Sequence, residues 1–307
     1  MPVIEIMENL YFVQRGHLNG NHFVSLSEEP ALIDTAYISD FEETAGIITR
    51  LGVNLSDIRL IINTHCHCDH VGGNKSIQNI SDCEIALHKI GKHFMETKDD
   101  WSTWWKYLGE EADFFDCTKA LEDEEVIAVG PHEFRVLYTP GHSSDGIVLH
   151  NKKEKLLISS DTLWENDVAA MMVRVEGSRI LFDMQESLEK LESLDVKIVF
   201  PGHGKPFTDV KRAISISKKK IENYLTNREI LGVDLLKKVI IHILLMHKAV
   251  EENTFFLHLM RTHWFKENVD LYFNSEYEAK YNEIMNYFIQ RGIVKCLNGK
   301  LWTTLEP

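Results

Sequence analysis

The chain has 307 residues, of which 44% are hydrophobic and 26% charged, with a formal net charge of −14. That length can bury a substantial core and suits one large domain plus a small one, while the acidic balance argues against a broad nucleic-acid footprint, because phosphate binding needs a basic face. The longest apolar run, Val239 to Met246 (VIIHILLM), is far short of a membrane span; MPVIEIMENL lacks the pattern of a signal peptide; and five cysteines without framework spacing fit a reduced, cytoplasmic protein.

In chain order, the first 35 residues read as short strands. VIEIMENLYFV and HFVSLS are separated by RGHLNGN, whose Asn19-Gly20 pair is a turn signal, and ALIDTA follows Glu-Glu-Pro. A helix is predicted from Ser39, with Glu42 completing a capping box, Phe41, Ala45, Ile48 and Leu51 on one apolar face, and Gly52 ending it. RLIINT reads as a buried strand, followed by the histidine-rich stretch INTHCHCDHVGGN (62–74). Then come CEIALH as a strand, a helix from about Lys89, the strands VIAV, FRVLYT, GIVLH and LLISS, a helix over 178–194, and KIVFPGHG as a last strand. Strands alternating with helices in this way suggest two sheets covered by helices, an αββα sandwich over residues 1–226.

Composition changes after residue 226. Helices are predicted over 234–249, 252–265 and 275–291, followed by two short strands around Asn298-Gly299, so residues 227–307 have a helical, winged-helix-like outline. Residues 225–307 carry ten Lys/Arg and ten Asp/Glu, which leaves this end neutral and puts the −14 in the preceding part.

The stretch His65 to His70 holds three histidines, an aspartate and two cysteines directly after a buried strand. His65 and His67, two apart in extended backbone, point the same way, and Asp69 and His70 follow where the chain turns into a helix. Imidazole and carboxylate suit zinc, iron or manganese, and Gly72 and Gly73 let backbone pass close to a crowded site. Cys66 and Cys68 should then face away, into packing. Of the other histidines, only His88, at the end of CEIALH, is placed to reach the mouth of such a site.

THCHCDH resembles the T-H-x-H-x-D-H signature of the metallo-β-lactamase-fold superfamily. Later elements resemble it in order: Asp34 in ALIDTA, His142 in TPGHS, Asp161 in LLISSDTLW and His203 in FPGHG, over about residues 5 to 220. The resemblance implies two divalent metal ions, zinc first with iron or manganese as alternatives. His65, His67 and His142 would hold one, and Asp69, His70 and His203 the other. Asp161 would bridge them together with a water or hydroxide made nucleophilic at neutral pH. Asp69 is also the candidate catalytic residue, orienting that nucleophile or accepting its proton. Asp34 would support a ligand from behind, as metal-bound imidazoles need. With the second-metal positions His70 and His203 filled, hydrolysis is expected rather than the mononuclear-iron dioxygenase chemistry of some relatives.

The expected substrate is a small acyl ester, thioester or lactone. A nuclease or phosphodiesterase comes second, and a metal-bearing binding protein with little catalysis third. DDWSTWWKYLGEEADFFD (99–116) has two readings, a helix buried against the sandwich or an aromatic wall for an acyl group. The C-terminal region is expected to act as a lid or a homodimer contact rather than a nucleic-acid module.

Overall fold

The computed structural model describes residues 2–305. One sheet holds, side by side, β1 (Val3–Met7), β2 (Leu10–Val13), β3 (His22–Ser25), β4 (Ala31–Ile33), β5 (Leu60–Ile62), β6 (Glu84–His88) and β7 (Lys119–Leu121). β1 to β4 are antiparallel and β4 to β7 parallel. Parallel neighbours need crossovers, supplied by α1 (Phe41–Arg50), α2 (Cys68–Val71), α3 (Asn74–Ser81), α4 (Lys89–Thr97) and α5 (Trp105–Leu108). The second sheet holds β8 (Val126–Val129), β9 (His132–Tyr138), β10 (Ile147–Asn151), β11 (Leu156–Ser160) and β12 (Ile198–Pro201), with only β11 and β12 parallel. Between those two lie α6 (Val173–Glu176) and α7 (Ile180–Glu192), and α8 (Val210–Thr226) follows β12.

Alternation along the strands builds the layers. Ile33, Ile62, Ile147, Leu149 and Ile158 point between the sheets, where they meet Phe12, Phe23 and Phe200. Their neighbours Leu32 and Ile61 face the first helical layer with Ile47, Ile48 and Phe94, and Val148 and Leu157 face the second with Met184 and Leu188. Side chains of period two on strands and 3.6 on helices produce this pattern. The result is the αββα sandwich that the alternation of elements predicted.

Several local expectations change. VIEIMENLYFV is a hairpin, not one strand, because the chain reverses at Glu8–Asn9, with Asn9 in the left-handed region at φ 59. The capping box does not form: Ser39 lies inside a single 3-10 turn (Ile38–Asp40) and Asp40 takes the cap position. Asn19-Gly20 is not an exposed turn. It lies in a buried loop where Asn19 Oδ1 accepts from Tyr37 N (2.8 Å) and Gly20 N donates to Asp69 O (3.1 Å).

The C-terminal part consists of α9 (Arg228–His247), β13 (Val250–Glu251), α10 (Glu252–Leu259), α11 (His263–Phe273), α12 (Tyr277–Gln290), β14 (Val294–Leu297) and β15 (Lys300–Thr303). The segment expected as one helix over 252–265 is divided, because Thr262 Oγ1 accepts from Phe265 N and starts a new helix. Asn298-Gly299 turns the β14–β15 hairpin with φ of 53° and 75°, the conformation this pair favours, and β13 adds a third strand beside β15. One apolar cluster joins α7 and α8 to α9, α11 and α12, through Met184, Ile221, Leu236, Ile240, Phe265 and Phe288. The helical end is therefore packed on the second helical layer.

Candidate metal centre

The sequence-predicted residues come from loops at one end of both sheets. β4 ends just before Asp34; β5 leads into the loop carrying His65 and His67 and then into α2 with Asp69 and His70. His142 lies between β9 and β10, Asp161 directly follows β11, and His203 lies two residues past the end of β12. Ligand sites of open sheets with parallel strands form at such carboxyl ends. The histidine loop is tied down by polar bonds: Asn63 Nδ2 donates to His70 O (3.1 Å), and Asn74 Nδ2 donates to Asn63 Oδ1 (2.7 Å). Gly72 allows the close approach, since a Cβ there would collide with the backbone nitrogen of Ile38. Gly202 does the same beside His203, where a Cβ would strike the Asp161 carboxylate.

Two trios result. His67 Nδ1 lies 3.0 Å from His65 Nε2 and 2.9 Å from His142 Nε2. Asp69 Oδ2 lies 3.0 Å from His203 Nε2 and 3.4 Å from His70 Nε2. Asp161 Oδ2 stands between them, 3.4 Å from His142 Nε2 and 3.7 Å from both His70 Nε2 and His203 Nε2. Both trios have the composition and closeness of a metal-holding group. Ligands bonded tetrahedrally at 2.0–2.1 Å from a zinc ion lie about 3.3 Å from one another, close to the spacings here. Moreover, His70 Nε2 is buried, makes no hydrogen bond and faces two carboxylates, an arrangement a cation would satisfy. The donor set fits a pair of divalent cations.

Electrostatics divide the centre. Burial, together with neighbouring imidazoles, pushes the pKa values of His65 and His67 well below the ordinary range, which leaves their lone pairs free for coordination. His142 is lowered by burial as well. Burial also opposes charge on His70 and His203, but Asp69 with Asp34, and Asp161 with Asp69, outweigh it and raise both. The Asp161 carboxyl is depressed: burial works against its charge, and His203 and His70 prevail.

The far sides of the rings are held. His70 Nδ1 donates to Asp34 Oδ2 (2.8 Å), and Asp34 also accepts from Thr64 N and Thr64 Oγ1, both at 2.8 Å. His142 Nδ1 donates to Ala170 O (2.8 Å), and His65 Nδ1 lies 3.2 Å from Thr64 Oγ1. Such partners fix tautomer and ring orientation. Cys66 and Cys68 are buried in the first helical layer and belong to neither trio; burial pushes both thiols well up.

The centre opens into a cavity of about 500 Å³. The aromatic segment divides between its two readings. Trp104 lies on His67, with centroids 4.0 Å apart, and lines the cavity with Leu108 and Glu110. Trp105 turns the other way into the first helical layer, its Nε1 donating to Cys66 O (2.9 Å). His88 does not reach the mouth; it stacks flat on Tyr138 with centroids 4.1 Å apart. The opposite wall comes from the C-terminal region expected as a lid or dimer contact, where α9 supplies Lys237, Lys238, Ile241, His242 and Leu245, none of them named from the sequence. The available signal was His242, an imidazole inside the longest apolar run of the chain.

Comparison with known proteins identifies the family and the fold. Residues 22–203 match the family model of the metallo-beta-lactamase superfamily. A hydroxyacylglutathione hydrolase of Rhodospirillum rubrum is 29% identical over 178 residues, covering 58% of this chain and 59% of that protein. The acyl-coenzyme A thioesterase MBLAC2 of Homo sapiens is 23% identical over 218 residues, covering 64% and 76%. The chain spans 50% to 60% of the length of several other curated relatives. A metallo-beta-lactamase family protein from Thermus thermophilus shares the fold with a TM-score of 0.61 at 19% identity, covering 97% of this chain and 100% of that one, the C-terminal region included. The chain belongs to the metallo-beta-lactamase superfamily.

Proposed function

We propose that this protein is a hydrolase of ester, thioester or lactone bonds in small acyl substrates, with two divalent metal ions, zinc first, as cofactor. His65, His67 and His142 would hold one ion and Asp69, His70 and His203 the other, with Asp161 shared. Such ions supply a nucleophile at neutral pH and polarise the carbonyl under attack. Asp69 orients that nucleophile and takes its proton, Asp34 and Ala170 O hold the ligand rings, and Trp104 and Leu108 exclude water and receive the acyl group. The observation that carries this reading is the position of Asp161 between two trios at a cavity whose walls include Trp104, Leu108, Ile241 and Leu245. Relatives named hydroxyacylglutathione hydrolase and acyl-coenzyme A thioesterase point the same way.

The remaining parts of the proposal follow from it. Residues 1–226 form the catalytic unit and 227–307 its roof. A nucleic-acid substrate is disfavoured by the net charge of −14, no helix among the described residues is long and apolar enough to cross a membrane, and the working compartment is the cytoplasm. A homodimer would use the C-terminal region, where Leu257, Leu271 and Leu297 are exposed, and its test is the mass of the protein in solution. For the activity, the purified chain is loaded with zinc, manganese or iron, assayed for bound metal, and offered thioester, lactone, alkyl-ester and phosphodiester substrates. Two ions per chain and turnover of acyl substrates are expected. One ion or fewer under every loading, or turnover of phosphodiesters alone, overturns the reading.

A further inference from the structure

We propose that His242, carried into the metal cavity on α9 and fixed there by Glu110, is a catalytic residue that hydrogen-bonds the leaving heteroatom of the acyl substrate and gives it a proton as the acyl bond breaks. This rests on the hydrolase reading above and adds to it a residue that lies outside the matched stretch 22–203.

The geometry supports the assignment in three ways. His242 Nε2 lies 2.5 Å from Glu110 Oε1, and the other oxygen of Glu110 accepts from Cys68 Sγ at the start of α2. The helix bearing Asp69 and His70, the aromatic segment and α9 thus meet at one carboxylate. Glu110 is almost fully enclosed, with 3% of its side chain exposed, whereas 24% of the His242 side chain is exposed where the ring lines the cavity. Glu110 occupies one ring nitrogen, so the imidazole offers the other to a ligand. Lastly, α9 is otherwise packed with Leu235, Leu236, Val239, Ile240, Ile243 and Leu244. An aliphatic residue at 242 would satisfy such a helix at lower desolvation cost than a buried acid–base pair, and neither metal trio uses the pair.

The chemistry fits the same place. Burial opposes charge on His242, but the Glu110 carboxylate outweighs it, so the ring keeps its proton to higher pH than a free histidine. In the reaction, the bond between the carbonyl carbon and the heteroatom breaks and its electron pair passes to the heteroatom, which takes the proton from His242. Water supplies the oxygen of the acid product, and the proton it releases, taken first by Asp69, passes through solvent to restore the ring. An alkoxide, conjugate to an alcohol with a pKa near that of water (about 16), needs this proton. A thiolate, conjugate to a thiol of pKa about 8.5, leaves without it.

That contrast gives the test. The full chain, zinc-loaded, is offered one acyl group on an alkyl alcohol, a nitrophenol and a thiol, and kcat/KM is compared for wild type, His242→Gln and Glu110→Gln. His242→Gln should lose about 100-fold or more on the alkyl ester, within the range for general acid catalysis, and only a few-fold on the thioester and the nitrophenyl ester. Glu110→Gln should show the same pattern more weakly, and both variants should keep wild-type metal content by plasma mass spectrometry. Equal losses on all three leaving groups, or loss of metal from His242→Gln, would show the pair to be a structural clasp and overturn the proposal alone. A wild-type chain that turns over no acyl substrate removes the hydrolase reading and this proposal together.

Discussion

Asp34→Asn probes how much of the candidate metal centre depends on residues outside the two trios. Asp34 sits at φ 59, a conformation asparagine tolerates better than most residues, so the backbone strain of the change is small. In the native chain the carboxylate accepts three bonds of 2.8 Å, from Thr64 N, Thr64 Oγ1 and His70 Nδ1, and all three residues are buried. Thr64 Oγ1 has a second partner in Ser160 Oγ at 2.7 Å, and the asparagine oxygen can keep Thr64 N. The bond lost without replacement is that of His70 Nδ1, since the new amide is a donor facing a donor. With a metal ion on Nε2 the ring must keep its Nδ1 proton, and leaving that buried donor unpaired costs about 1–3 kcal/mol, which urea denaturation of the zinc-loaded protein would read. His70 also loses the acceptor that orients it, and a defect of that kind lowers metal affinity roughly 10–100-fold. If two zinc ions bind as proposed, competition with a chromophoric chelator should show the loss on one equivalent, the one assigned to Asp69, His70 and His203, and leave the other nearly unchanged. Equal weakening of both equivalents, or of neither, would refute the reasoning. Asp34→Ala, which orphans Thr64 N as well, should be the more destabilised by about 1–3 kcal/mol.

Other perturbations test separate parts of the structure. Burial raises the Glu176 carboxyl to about 8, against the bonds it accepts from Trp104 Nε1 (2.6 Å) and Ser144 N (2.8 Å). The folded state therefore holds a proton that the unfolded chain releases at lower pH, so this stabilising contribution is complete below about pH 4.5 and is lost as pH rises toward 8. Tryptophan fluorescence should accordingly titrate with a midpoint near 8, and Glu176→Gln should abolish that transition; a flat wild-type profile would refute it. Trp104→Ala should lower kcat/KM for a long-chain acyl substrate about 30-fold, the worth of roughly 2 kcal/mol of apolar contact, while sparing an acetyl ester. Trp105→Ala should instead cost about 3–5 kcal/mol of stability in a denaturation curve with KM unchanged. Replacing Cys66 and Cys68 together by alanine should leave bound zinc unaltered and reduce stability by about 1–3 kcal/mol, and a loss of zinc without unfolding would mean that a thiolate takes part in coordination.

The sequence by itself determined the layers and the polar centre. Continuous apolar runs such as RLIINT and LLISS can bury both faces only inside a covered sheet, and the side chains of His65, His67, Asp69 and His70 are constrained by their neighbours in the chain. Local chemistry therefore reaches them, and the strand-end positions of Asp34, His142, Asp161 and His203 could be read from their motifs. Local reading failed where distant contacts decide. Asn19-Gly20 has the composition of an exposed turn, yet Tyr37 and Asp69 draw it into the interior. Trp104 and Trp105 are adjacent and alike, and only the packing of one on His67 and of the other on Cys66 O separates a cavity wall from a core residue. The partnership of His242 with Glu110 spans 132 positions. It exists because α9 folds back over the sheet ends, an arrangement set by the apolar surface shared among α7, α8, α9 and α11, and burial of that kind has no direction or spacing that a one-dimensional pattern can display.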